Sequence, residues 1–233
     1  MKVNVADLCP CGSRKTYKRS CGNLRALWSK NIDTVASEAG LDARIAKIFN
    51  ATLEFLGQTN WLGACHGVSA ILYVIFSELG FEPKLCTGIT ETEIWATGHS
   101  WIEMNGKVYD ATCYFSAEGT PKRPPVFHGI ELDTMKSTET AYGIAVSPSK
   151  ADDVQAVLDA TVPGILNGEF ELMRGAHLWH VLDNICMLAG IGSVLNVIGN
   201  GIDANALIEK YKDTRWELCD QIPANWELLI PVS

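Results

Sequence analysis

Gly98-His99-Ser100-Trp101-Ile102-Glu103-Met104-Asn105-Gly106-Lys107-Val108-Tyr109-Asp110-Ala111-Thr112 decides how this chain folds. Asn105-Gly106 is its strongest two-residue hairpin signal, because both central positions of the favoured turn need positive φ, which Asn and Gly reach at least cost. Residues 99–104 and 107–112 are then two antiparallel strands. A two-residue loop sets Met104 opposite Lys107, and the same register sets Trp101 opposite Asp110 and His99 opposite Thr112. Directly opposed residues share a face, so His99, Trp101, Asp110 and Thr112 are expected on one side of the sheet. His99 and Asp110 become diagonal neighbours with Cα atoms roughly 7–8 Å apart or a little less, within reach of an imidazole–carboxylate hydrogen bond.

Upstream, a helix is predicted to begin near Cys65. Val68, Leu72, Ile75 and Leu79 mark its buried stripe, and Gly80 and Pro83 stop it. A thiol in a helix's first turn faces unpaired N–H groups and the positive end of the macrodipole, and both favour thiolate, the reactive form. If this helix packs on the face that carries His99 and Asp110, it brings sulfur to a base and its orienting acid. Cys65 would attack a carbonyl carbon, His99 would move the proton, and Asp110 would fix the imidazole tautomer. Taken singly, a Cys in an apolar helix is usually core and a His on a strand usually structural; the joint placement favours chemistry. The Cys65 N–H, with Gln58, Asn60 or Trp61, is the candidate oxyanion donor set. Helix geometry turns His66 about 100° from the nucleophile, which makes it a pocket or surface residue.

Three blocks, Gly63-Ala-Cys65-His-Gly-Val-Ser-Ala-Ile-Leu, Leu79-Gly-Phe-Glu-Pro-Lys-Leu-Cys-Thr-Gly88 and Gly98-His99-Ser-Trp101 through Asp110-Ala-Thr, together resemble the transglutaminase-like cysteine fold. The resemblance covers residues 61–112 and nothing outside them. It implies an α+β, papain-like core in which a helix packs on a small antiparallel sheet, with Cys65, His99 and Asp110 as nucleophile, base and orienting acid. The superfamily includes transglutaminases, peptide N-glycanases and many bacterial and phage proteases. The Arg-Gly-Gly block of the arylamine acetyltransferase relatives is missing from this sequence.

At the N-terminus, Cys9-Pro-Cys11-Gly-Ser-Arg-Lys-Thr-Tyr17-Lys-Arg-Ser-Cys21-Gly is rich in Cys, Gly and basic residues and too short to bury a core without a metal. It resembles the SEC-C zinc motif, with one departure: Ser20 stands where the third ligand belongs. Cys9, Cys11 and Cys21 remain as zinc ligands, and three thiolates leave a tetrahedral structural site one short. A water, Asp7 or a residue from elsewhere would complete it; alternatively the metal is lost. By resemblance the module docks a protein, or a nucleic acid; the alternative is a solvated basic tail.

The 233 residues, 47% hydrophobic and 20% charged with seven Trp, describe a folded domain with a sizeable core. Residues 1–30 carry a net charge of +6 and the rest −14, within a total of −8. An acidic main body argues against nucleic acid as substrate of the catalytic part. No secretory signal is evident, so the eight Cys are expected as reduced thiols in a cytoplasmic protein. The uncharged stretch 184–202 carries Ser193, Asn196 and several Gly, a poor membrane span.

The expected organisation is a metal-binding motif over 1–24, a catalytic core over 25–150 and a helical extension over 151–233 packed on it. Helices are predicted over 24–56, divided at Gly40 and ended by Gly57, a strand over 84–90, a loop over 116–128, helices over 151–212 broken at Pro163, Gly192 and Gly201, and a last edge strand beginning at Trp226. His177-Leu-Trp-His180 has metal-ligand spacing without a matching carboxylate, and packing through Trp179 is favoured. Cys86, Cys113, Cys186 and Cys219 read as core, with Cys113 near enough to Asp110 for the pocket rim. The expected activity is hydrolysis of a peptide or isopeptide bond in a protein or peptide substrate. Acyl transfer to an amine is the rival chemistry, and a non-enzymatic docking protein the rival class.

Overall fold

The computed structural model describes residues 6, 8, 14–16, 21–92, 95–143, 151–170, 176–192 and 204–218. These build a mixed α+β fold around a curled, mainly antiparallel sheet. Cys9, Cys11 and the Trp226 segment lie outside the described residues, and Cys21 is described only as the first residue of a helix.

Helices α1 (Cys21–Glu38) and α2 (Ala43–Thr59) are separated where the spacing predicts, at Gly40 with φ +63°. The Asp42 carboxylate accepts from Arg44 N (2.8 Å) and caps α2, which ends at Asn60 in the left-handed region. Helix α3 (Cys65–Glu78) begins at the expected cysteine, but it is not a one-sided stripe. Nearly every residue from Gly67 to Phe76 is buried, because α3 runs through the middle of the molecule with the sheet on one side and helices on the other.

Strands β1 (Lys84–Thr92), β2 (Trp95–Met104) and β3 (Lys107–Tyr109) form the sheet's meander. Met104 pairs with Lys107, Glu103 with Val108 and Ile102 with Tyr109, the register that Asn105-Gly106 predicts, with φ +53° and +69° at the two turn residues. The second strand stops earlier than its pattern suggests. Asp110 leaves β2 and instead exchanges backbone bonds with Val126 (N to O 2.8 Å, and 2.9 Å in return). The cause is local: the Asp110 carboxylate captures the Thr112 N–H at 2.9 Å, which bends the chain into a 3₁₀ turn over Cys113–Phe115. The end of the expected 116–128 loop forms a strand, β4 (Val126–Phe127), which pairs with β5 (Ile130–Glu131).

The two faces of the sheet carry different cores. Leu85, Ile102 and Tyr109 pack with α3 in the main core, while Cys86, Trp101, Val108, Cys113, Val126 and Tyr142 form a second cluster. His99 belongs by alternation to the second face. The expectation that α3 packs on the face bearing His99 is therefore corrected: the body of α3 covers the opposite face. β3 pairs only with residues 102–104 of β2, and β1 flanks β2 on its other side.

Strand β6 (Ala141–Gly143) pairs with the far half of β1. After it come α4 (Ala151–Asp159), α5 (Val162–Leu166), a small hairpin of β7 (Glu169–Phe170) and β8 (Ala176–His177), α6 (Leu178–Leu188), α7 (Ala204–Tyr211) and β9 (Glu217–Leu218), which adds to β1 in parallel. The uniformly helical expectation for 151–212 is thus corrected by that hairpin. Pro163 sits in the first turn of α5, where a missing N–H costs nothing, with Thr161 as its cap. Gly192 has φ +76° beyond α6, and Gly201 lies outside the described residues. Among the described residues no helix is long and apolar enough to cross a membrane. Cys86 is disulfide-bonded, where the sequence predicts reduced thiols; Cys65 and Cys113 carry free thiols.

Candidate active site

Asp110 is buried and acts as a hub of hydrogen bonds. Its Oδ2 is 2.6 Å from His99 Nε2 and accepts from the Cys113 thiol (2.7 Å) and the Tyr142 hydroxyl (3.0 Å). Its Oδ1 accepts from Thr112 N (2.9 Å) and Thr112 Oγ1 (2.8 Å). Burial alone would raise the Asp110 pKa, but the His99 imidazolium and these donors hold it well below the usual carboxylate range. Burial likewise opposes charge on His99, yet Asp110 and Cys65 hold its pKa well above the usual value. Burial and the Asp110 charge push Cys113 and Tyr142 upward, so both stay protonated and both remain donors.

Cys65 is half-buried at the first position of α3. Burial pushes its thiol up, but the His99 charge, with His66 and His99 as hydrogen-bond partners, overcomes this and brings it from 9.0 to about 5. With Nε2 engaged by Asp110, Nδ1 is the His99 nitrogen left to exchange a proton with sulfur. His66 is not turned away as helix geometry suggests. It contributes to the Cys65 environment while its Nδ1 is 2.7 Å from Ser100 Oγ, tying α3 to β2.

Cys65, His66, Gly98 and His99 line a cleft of about 180 Å³ whose far wall is Phe115, Ser116 and Arg123. A second hollow of about 310 Å³ lies beyond His66 and His99, against Val154 and Val157 of α4. The amides of Cys65, His66 and Gly67 open α3, and Ala64 at the cap position offers no side-chain acceptor; Val68 N is the first to bond back, to Ala64 O at 2.8 Å. The Cys65 amide is thus available to a developing oxyanion.

The other residues singled out for the pocket sit elsewhere. Gln58 Nε2 donates to Glu54 within α2 (2.7 Å), Asn60 is the C-cap of α2, and the Trp61 ring packs near Gly67; none of them lines the cleft. Trp101 is fully buried behind His99, with Nε1 on Glu103 Oε1 (3.1 Å) and its ring edge-on to Tyr142. His177 is the N-cap of α6, not a helical residue, and its Nδ1 is 2.6 Å from Asn167 O, while the Trp179 indole donates to Asn167 Oδ1 (2.9 Å).

His99, Asp110 and Cys113 bring three potential metal-ligand atoms within 4.8 Å of one another. The Asp110 carboxylate and the Cys113 thiol already serve the hydrogen-bond network there, so a cation would compete with those bonds. Tyr142, Cys113 and Arg123 are the site residues that the hairpin arithmetic does not reach. Cys113 had a signal in its distance of three residues from Asp110; Tyr142 arrives through a strand pairing remote in sequence. The chain matches no known protein family, no curated protein and no solved structure.

Proposed function

We propose that this chain is a thiol-dependent acyl hydrolase that cleaves a peptide or isopeptide amide through a thioester on Cys65. The observation that carries this reading is the His99–Asp110 contact of 2.6 Å beside a half-buried thiol held at about 5. A thiolate paired with an imidazolium at neutral pH is the state that a cysteine nucleophile needs.

In the proposed reaction the Cys65 thiolate adds to the amide carbon, and the oxyanion meets the Cys65 N–H at the start of α3. His99 gives its Nδ1 proton to the leaving nitrogen as the C–N bond breaks. Neutral His99 then takes a proton from water as it attacks the thioester, and sulfur leaves as thiolate. Asp110 keeps its charge throughout and holds Nε2–H. The transglutaminase-like core is part of this proposal. The zinc knuckle of Cys9, Cys11 and Cys21 enters it as a docking module outside the chemistry.

The test is the pH profile of Cys65 alkylation by iodoacetamide. Wild type should react at close to its full rate at about pH 6. His99→Ala should lose roughly two orders of magnitude there, as the thiol returns towards about 8.5. Equal rates at about pH 6 would refute the proposal. A labelled amine added with an amide substrate separates transfer from hydrolysis, since only transfer incorporates it.

A further inference from the structure

Arg123 stands on the wall of the cleft that holds Cys65 and His99, in the segment that sequence patterning assigns to a basic loop. Its backbone is fixed by a bond from Arg123 N to Cys113 O (3.1 Å). Its guanidinium donates to Thr140 Oγ1 and to the buried Thr90 Oγ1, each at 3.3 Å. Both partners are neutral, and both bonds are long for a guanidinium. Among the described residues, no carboxylate oxygen forms an ion pair with Arg123. Of the two acids that act on it electrostatically, Asp110 and Glu131, Asp110 already accepts from His99, Thr112, Cys113 and Tyr142, and neither forms an ion pair with it.

Two further facts make this a receptor and not a spare surface charge. None of the residues lining the cleft is Asp or Glu, although the chain as a whole carries a charge of −8. The neighbouring cation, Lys122, is exposed and directed onto the Tyr114 ring (5.0 Å to its centre), which leaves Arg123 as the cleft's fixed cation beside the imidazoles. A half-buried guanidinium has given up hydration, and with two of its five donors on Thr140 and Thr90 the rest of its planar fork can meet a carboxylate in two-point contact.

We propose that Arg123 is the specificity residue of this cleft and that the substrate carries a carboxylate next to the group that Cys65 attacks. As a description of a substrate, this rests on the thiol-hydrolase proposal above. The hollow against Val154 and Val157 shares His66, Gly98 and His99 with the cleft, so a bound substrate would meet a partly apolar surface as well as a cationic one.

The probes are iodoacetyl-glycine, iodoacetyl-β-alanine and iodoacetyl-γ-aminobutyrate, each compared with its own primary amide at about pH 6. In each case the Cys65 thiolate forms the C–S bond and iodide leaves. At least one acid should alkylate wild type roughly ten- to a hundred-fold faster than its amide, the range expected for a charge-assisted two-point contact. Arg123→Gln should bring that ratio to about one, and Arg123→Lys, which keeps the charge but loses the fork, should fall between. The His99 imidazolium also attracts anions, so a preference that survives in Arg123→Gln overturns the assignment. Ratios near one for all three acids in wild type overturn it without any variant. A highly reactive Cys65 with no acid preference would sink this inference alone. An acid preference that needs Arg123, on a thiol of ordinary reactivity, would sink the hydrolase proposal and leave the carboxylate site standing.

Discussion

His99 Nε2 and Asp110 Oδ2 lie 2.6 Å apart although β3 ends one residue before Asp110. The hairpin register brings the two near each other, and the Asx turn at Asp110 then swings the carboxylate out of the ladder towards the ring. The contact fixes which nitrogen is occupied. Nε2 is committed to the acid, so only Nδ1 can serve sulfur.

Asp110→Asn should therefore act through the tautomer. An amide can place its oxygen to accept from Nε2–H, Cys113 and Tyr142, but its NH₂ would then face the two Thr112 donors. The expected loss is about 10³–10⁴ in kcat, the size seen when a triad acid becomes neutral. NMR of the ring protons should show the His99 pKa falling towards or below about 6.5. A variant that keeps both its activity and a high His99 pKa would show that Asp110 does not orient the ring.

Stability should depend on pH with a sign set by the same groups. The folded Asp110 pKa lies below its unfolded value of about 3.9, so its contribution is complete above about pH 4 and is lost as the pH falls through the folded value. Cys65, lowered to about 5, acts in the same direction, its contribution fading as the pH falls from about 9 to about 5. His99, raised above about 6.5, acts in reverse, contributing fully below that value and less as the pH rises through its folded value. Above about pH 6.5 the thiol and imidazole slopes oppose each other; between about pH 6.5 and 5 the thiol acts alone and stability falls with pH; below about pH 4 Asp110 does the same. Urea midpoints should fall steeply below about pH 4 in wild type and much less in Asp110→Asn. Parallel curves would contradict the assignment.

What was legible in the sequence is what depends on neighbours along the chain. Asn105-Gly106 sets the register because turn chemistry is local, and Cys65 marks a helix start because Gly80 and Pro83 close the apolar run that follows it. The face on which α3 packs was not legible, since a helix buried all round has no stripe to orient it. Nor was the end of β3. Asp110 continues the alternation, and only its side-chain bond to Thr112 N shows that it leaves the ladder. Tyr142 comes from a three-residue strand and β7 and β8 have two residues each, too short to display a period.

Cys113 and Tyr142 should matter as donors to Asp110 and not as reagents. Cys113→Ala and Tyr142→Phe each remove one bond to a buried carboxylate, expected to cost about 1.5–3 kcal/mol in stability. Both should also raise the Asp110 pKa and shift the acid limb of the alkylation profile upward. Cys113→Ser keeps a donor and should recover most of the loss. Because Cys113 Sγ and Tyr142 OH also lie 3.3 Å apart, the double variant should lose less than the sum of the singles. Strict additivity, or a serine variant as damaged as the alanine one, would argue that Cys113 acts through packing alone.

Gly88 sits opposite His99 in the β1–β2 ladder, and its lack of a side chain is what lets β6 close over this end of the sheet. An added Cβ would stand 3.1 Å from Gly143 O and 3.3 Å from the far edge of the Trp101 ring. The backbone oxygen cannot rotate away as a side chain would, so β6 must shift, and the next residue back is Tyr142. Gly88→Ala is therefore expected to cost about 1–3 kcal/mol, as overpacking commonly does. It should also weaken the Tyr142–Asp110 bond, moving the midpoint of Cys65 alkylation in the same direction as Tyr142→Phe. The decisive comparison is the pair: once Tyr142 is Phe, adding Gly88→Ala should still lower stability but leave the midpoint nearly where Tyr142→Phe put it. A second full shift would mean that Gly88 bears on His99 directly, through the strand it faces.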